Sequence, residues 1–282
     1  MMHTSIEHSQ VFTKPVKLSS HWVYRASESR GMTQLSWLES KHTFSFGSYH
    51  DPAWHQFSGL RVINEDIVAP QQGFGWHGHQ HMEIVTYVCQ GTLEHQDSLG
   101  NTGVLHKGSW QYMHAGKGIE HREWNPDPEQ PSHFLQLWLY PQDKEAHTTP
   151  HYQDDLPAHA WLETDQLTLK AVLSGSGVAA TQMHHQGTVG TLVVSPESSV
   201  SLTKVHETLQ QHLKGMDITP SRLWLQTVQG HAELMLQAPE TFEEATCTLK
   251  AGDGLGLPLA DLAHLTLQSG ETGGEWLWFA LL

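Results

Sequence analysis

From about residue 40 onward, apolar residues come in short runs that alternate with polar ones, and turn residues close each run. The runs include "GLRVINEDIV", "MEIVTYVCQGTLEHQD", "HFLQLWLY", "VGTLVVSP", "SRLWLQTVQGHAELML" and "EWLWFALL". Val, Ile, Thr, Trp and Tyr are concentrated in them, and turns such as "SLGN" and "PDPEQP" punctuate them, which predicts strands rather than helices. Regularly spaced short strands predict an all-β chain built as sandwiches or barrels. One segment, "SLTKVHETLQQHLKGM", reads as a helix or an irregular arm. Its "HETLQQH" lacks the second histidine of a zinc-protease helix, because position 210 is Gln210.

The polar stretch "YPQDKEAHTTPHYQDDLP", Tyr140 to Pro157, is the natural domain boundary. A faint repeat lies on either side. A strand, a glycine turn, a strand and a second glycine turn occur at Gly91 and Gly108, then again at Gly230 and Gly252. The expected division is a polar extension over 1–18, an N-terminal β domain over 19–145 and a similar C-terminal one over 146–282.

Composition narrows the partners. The formal charge is −15 and no basic run is present, so the surface repels phosphate backbones and direct nucleic-acid binding is disfavoured. Cys89 and Cys247 are far apart and in no CxxC pattern, which excludes a disulfide framework and a zinc knuckle. The N-terminal residues lack the apolar core of a signal peptide, and no apolar run reaches membrane-spanning length. The expected location is cytoplasmic, without a membrane partner.

The candidate chemistry is in "GFGWHGHQHMEIVTY", where His77, His79 and His81 stand at every second position. On a strand, residues two apart share a face at about 6.6 Å, while residues four apart are separated by roughly 13 Å. Two imidazoles sharing an ion reach about 2.1 Å each, so one adjacent pair can bind an ion and the full row cannot. Downstream, in "GKGIEHREWN", His121 and Glu123 again share a face. Two such pairs on facing strands make a shell of three imidazoles and one carboxylate. That shell suits a divalent transition metal and leaves positions open for substrate or oxygen.

"HxH(x)3E(x)7G", His77 to Gly91, and "G(x)5HAG(x)4H(x)3N", Gly108 to Asn125, resemble the two cupin motifs. The phrases "HTFSFGSYHDP", "LRVINEDIVAPQQGFGWHGH", "MEIVTYVCQGTLEHQDSLGN" and "MHAGKGIEHREWNP" resemble the pirin family more closely, over about residues 40–126. The resemblance implies a bicupin: two packed, jelly-roll-like cupin β-barrels with metal in the N-terminal barrel only. It places the ligands at His77, His79, His121 and Glu123, with Gly78 where the family usually has proline. Glu83, a ligand in many other cupins, is then expected to hydrogen-bond around the site, His81 to sit at its rim, and His95 and Asp97 to bond locally at a turn. His50, His55 and His114 are expected to be satisfied polar residues. Phe46, Phe74 and Met113 are the candidates for a substrate-pocket wall. In the second half, the offsets of the four ligands from their glycines fall on Met216, Ile218, Leu265 and Leu267, so no second metal site is expected.

For function, the resemblance implies quercetin 2,3-dioxygenase activity, in which a flavonol-like substrate is opened by O2 with release of carbon monoxide. Glu123 is the proton acceptor in that reading and Fe(II) the expected metal, with Ni, Co, Mn, Cu and Zn accepted by the same donors. The alternative is a metal-dependent regulatory protein that acts through a protein partner.

Overall fold

The computed structural model describes residues 21–142, 144–175, 180–214, 219–236 and 245–282. The 1–18 extension, Met216 and Ile218 lie outside the described residues. The alternating runs form antiparallel strands, and the strands close into two barrels, as expected of an all-β bicupin. In the first barrel, Glu83–Gln90 runs between Trp110–His114 and Ser132–Leu139. Leu60–Val68, Leu38–His42 and Gly31–Gln34 extend the sheet beyond Ser132–Leu139. Facing it is a four-stranded sheet in the order Gly73–His79, Ile119–Trp124, Thr92–Asp97 and Thr102–His106.

The second barrel is organised by its two longest strands, Arg222–Leu236 and Leu265–Leu281, which pair with each other. The segment left open between helix and arm is a helix, Thr203–Leu213, and its Val205, Leu209 and Leu213 are buried on the barrel. The two interiors differ in kind. The second is an apolar core of leucine, valine and tryptophan that includes Leu265 and Leu267. The first keeps Asn64, Asp66, Gln111, Glu123 and Gln136 buried, and a polar interior of this sort has to serve something other than packing.

A third cluster joins the halves. Phe44, Leu135 and Leu137 of the first pack with Trp224, Leu277 and Phe279 of the second. Strand pairing also crosses the expected 145/146 division in both directions. Val23–Arg25 pairs with Gly254–Pro258 of the second barrel, and His151–Gln153 pairs with Trp110–His114 of the first. A three-residue strand has too few positions for its pattern to reveal a partner, so polarity along Tyr140 to Pro157 does not show these pairings.

Candidate metal centre

The strands Gly73–His79 and Ile119–Trp124 run antiparallel with His121 opposite His77 and Ile119 opposite His79. Beyond His121 the register slips, so that Glu123 stands opposite Phe74. The bulge needs close backbone approach, and Gly73 allows it: a Cβ there would lie 2.2 Å from the Glu123 carbonyl oxygen. The strand ends at His79. His81 adopts φ 55°, and its Nδ1 faces the Ala146 carbonyl at 2.8 Å, so its ring leaves the row.

His77, His79 and His121 converge. Their ring centroids are 4.4 to 4.8 Å apart, and the Nε2 atoms of His121 and His77 meet at 3.0 Å. One potential ligand atom from each of the three lies within 4.8 Å of the others. The Gly75 carbonyl, 2.8 Å from His77 Nδ1, can only accept, so it fixes the proton there and leaves His77 Nε2 with a free lone pair. His79 Nε2 is buried without a partner. Burial, with the neighbouring His77, pushes His79 down to about 4. Burial and the surrounding histidines push His121 down to about 2. Neutral imidazoles with inward lone pairs, one of them otherwise unsatisfied, are the donor set a divalent transition metal requires. The residues therefore fit such an ion.

Glu123 lies deeper, 1% exposed. Its Oε1 accepts from Gln111 Nε2 at 3.0 Å and its Oε2 from Gln136 Nε2 at 2.6 Å. Burial raises the carboxyl to about 7 against those two amides, and the charge of Asp66 adds to the rise. Its carboxylate groups with His95 and His121 as a second set of potential ligand atoms within 4.8 Å. His95 does more than bond locally at a turn. It is fully buried, stacks on Tyr152 at 4.0 Å, and brings Nδ1 to 3.4 Å from His121 Nδ1. The signal was present: Leu93, His95 and Asp97 alternate inward along Thr92–Asp97, and period two outranks a turn label.

A cavity of about 240 Å³ opens beside His77, His79 and Glu123. Phe46, Phe74, Leu38 and Trp138 supply its apolar wall, while Asp66 and the His42–Asn64 pair supply polar groups. Two expectations need correction. Met113 does not line this cavity; it shares the inward face of its strand with Gln111 but is buried against Ile84, Ala115 and Ile119. Glu83 contacts none of the clustered histidines. Its carboxylate accepts the backbone N–H groups of His184 and His185, both at 2.7 Å, and the Tyr112 hydroxyl at 2.6 Å, with His114 Nδ1 at 3.6 Å. The glutamate is taken up by the junction between the barrels, which no pattern within the first motif encodes. His114 also faces the Thr148 hydroxyl at 2.8 Å.

Comparison with known proteins bears on this geometry. The family model described as pirin matches residues 24–139. A putative quercetin 2,3-dioxygenase of Pasteurella multocida is 39% identical over 210 residues, which cover 73% of this chain and 82% of that one. Quercetin 2,3-dioxygenase of Escherichia coli K12 is 37% identical over 219 residues, covering 74% and 82%. Among solved structures, the bacterial pirin YhhW of Escherichia coli in complex with nickel(II) superimposes with a TM-score of 0.69 at 31% identity, over 92% of this chain and 98% of that one. With two barrels, the motif pairs on facing strands and relatives of this identity across most of their length, the chain belongs to the pirin family.

Proposed function

We propose that the first barrel binds one divalent transition metal through His77, His79, His121 and Glu123 and oxidises a flavonol-like substrate with O2. The observation that carries this reading is the convergence of three imidazoles beside an apolar-walled cavity that also reaches Glu123. The names of the relatives and the nickel complex of the Escherichia coli pirin support it. Fe(II) is the metal proposed, and Ni(II) is the form best supported by a relative.

The bound metal would supply a Lewis-acid site for the substrate oxygen and an open position for O2. The chain's own residues do the rest. Phe46, Phe74 and Trp138 form a wall on which a flat aromatic ring packs and from which water is excluded. Glu123, raised to about 7 by burial, is poised to take the proton of a flavonol 3-hydroxyl. Oε1 is the natural acceptor, because its bond to Gln111 is the longer of the two. The electron-rich enolate left behind is oxidised by O2. Both oxygen atoms enter the ring-opened product, and one ring carbon leaves as carbon monoxide.

The test is protein loaded with Fe(II) or Ni(II), given quercetin under oxygen, with flavonol absorbance and carbon monoxide followed together. Loss of flavonol absorbance in step with release of carbon monoxide supports the reading. Absence of turnover with every divalent metal tried would overturn it.

A further inference from the structure

His95 and Asp97 lie outside the proposed ligand set, yet both are buried in the sheet that carries His121. Thr92–Asp97 pairs antiparallel with Ile119–Trp124 so that Asp97 stands opposite His121 and His95 opposite Glu123. Three polar groups follow in line. Asp97 Oδ2 is 3.5 Å from His95 Nε2, and His95 Nδ1 is 3.4 Å from His121 Nδ1. His121 Nε2 then points to His77 Nε2 at 3.0 Å.

The direction of the chain is set from its far end. Asp97 is held by three donors, with the N–H groups of Leu99 and Asn101 on Oδ1 at 2.9 and 3.0 Å and the Asn101 amide on Oδ2 at 2.8 Å. A carboxylate in that setting accepts and does not donate. His95 Nε2 makes no hydrogen bond but faces Asp97 Oδ2 at 3.5 Å, a contact that favours the proton on Nε2 and so leaves His95 Nδ1 a lone pair in the neutral ring. That lone pair requires a donor, and His121 Nδ1 is the atom in front of it. With its proton on Nδ1, His121 presents an unprotonated Nε2. The Gly75 carbonyl holds the proton of a neutral His77 on Nδ1, so in that tautomer His77 Nε2 presents another. Two lone pairs facing at 3.0 Å repel unless a cation lies beside them both.

We propose that Asp97 and His95 are positioning residues that fix His121 in the tautomer whose Nε2 is free to bind the metal. The inference rests on the metal reading above. Metal-bound histidines commonly give their second nitrogen to a carboxylate or carbonyl. Here an extra imidazole extends that reach by one ring. Stacking of His95 on Tyr152, at an interplanar angle of 5°, holds the extra ring in plane.

The experiment has two arms on the full chain. Long-range proton–nitrogen correlation spectra of the metal-free wild type report which ring nitrogen of His121 is protonated. Nδ1–H is expected; an Nε2–H tautomer overturns the proposal. Calorimetric titration with Ni(II) then compares the wild type with His95→Phe, which keeps an aromatic ring on Tyr152 but removes both nitrogens. Affinity is expected to fall about 10- to 100-fold, and Asp97→Asn to fall in the same direction with less effect. Equal affinity in wild type and His95→Phe overturns the relay and leaves the metal reading intact. No Ni(II) uptake by the wild type overturns both. If His95→Phe does not fold, the wild-type spectra and Asp97→Asn decide.

Discussion

Gln136 donates its amide hydrogen to Glu123 Oε2 at 2.6 Å, and the oxygen of the same amide accepts the Trp138 indole N–H at 3.1 Å. The indole thus fixes which way the amide faces, and the amide fixes the carboxylate. Gln136→Leu fills similar space but leaves Glu123 Oε2 without its donor and the indole without its acceptor. Loss of a hydrogen bond to a charged group costs about 1.5–3 kcal/mol. Metal-free Gln136→Leu is therefore expected to unfold at lower urea than the wild type. Because Glu123 ionises near 7, the deficit should be larger at pH 8 than at pH 6. An equal deficit at both values would mean that the amide serves packing alone.

Glu83 gives the opposite kind of prediction, since it binds the junction and not the histidines. Glu83→Ala strands the N–H groups of the buried His185 and the half-buried His184. Unsatisfied buried donors cost about 1–3 kcal/mol each. The variant should melt well below the wild type, yet Ni(II) affinity measured at a temperature where it is folded should stay within about threefold. A large loss of affinity in folded Glu83→Ala would return Glu83 to the neighbourhood of the metal.

These two residues also mark how much was legible in the sequence. His77, His79 and His121 are close in the structure because strand periodicity is local and two facing strands need only one register. Glu123 was legible as a face-mate of His121, but its bulge was not: a register slip depends on Gly73 and the facing backbone together. Glu83 matched a motif, and its actual partners are contributed about 100 residues away by the second barrel. Met113 was lost differently: its strand turns it inward with Gln111, but it packs among Ile84, Ala115 and Ile119 instead of lining the cavity. Pattern along the chain reports faces; it does not report what another domain presents to them.

Asp66 lines the cavity with Oδ1 lacking a hydrogen-bond partner. Burial raises its carboxyl to about 7, against a bond from Ser40 and with a further push from Glu65. An acid raised above its unfolded value of 3.8 binds more protons folded than unfolded. Its contribution to stability is fully present below that unfolded value and is lost as pH rises through about 7. Asp66→Asn removes the ionisation while keeping the shape. The variant should be more stable than the wild type at pH 8, by on the order of 1–3 kcal/mol, and should show little gain at pH 4. Urea unfolding of the metal-free proteins at the two pH values measures this, and a gain that does not change with pH would count against a charged, unsatisfied Asp66.

The last prediction concerns how far the metal's effect travels. A ligand that binds only the folded state adds about 2.7 kcal/mol when present at 100 times its Kd. Ni(II) should therefore raise the melting temperature of the wild type, a chelator should reverse the rise, and His79→Ala should abolish most of it, since His79 Nε2 has no other partner. The proposed ion site lies in the first barrel, but the cluster of Phe44, Leu135 and Leu137 with Trp224, Leu277 and Phe279 is shared by both. Separating the barrels would expose that apolar surface to water. The strands Val23–Arg25 and His151–Gln153 would also have to leave their sheets. Unfolding of one barrel alone is thus opposed from both sides, and Ni(II) should shift a single transition seen alike by tryptophan fluorescence and far-ultraviolet circular dichroism. A second transition that stays in place when Ni(II) is added would show that the second barrel keeps its own stability.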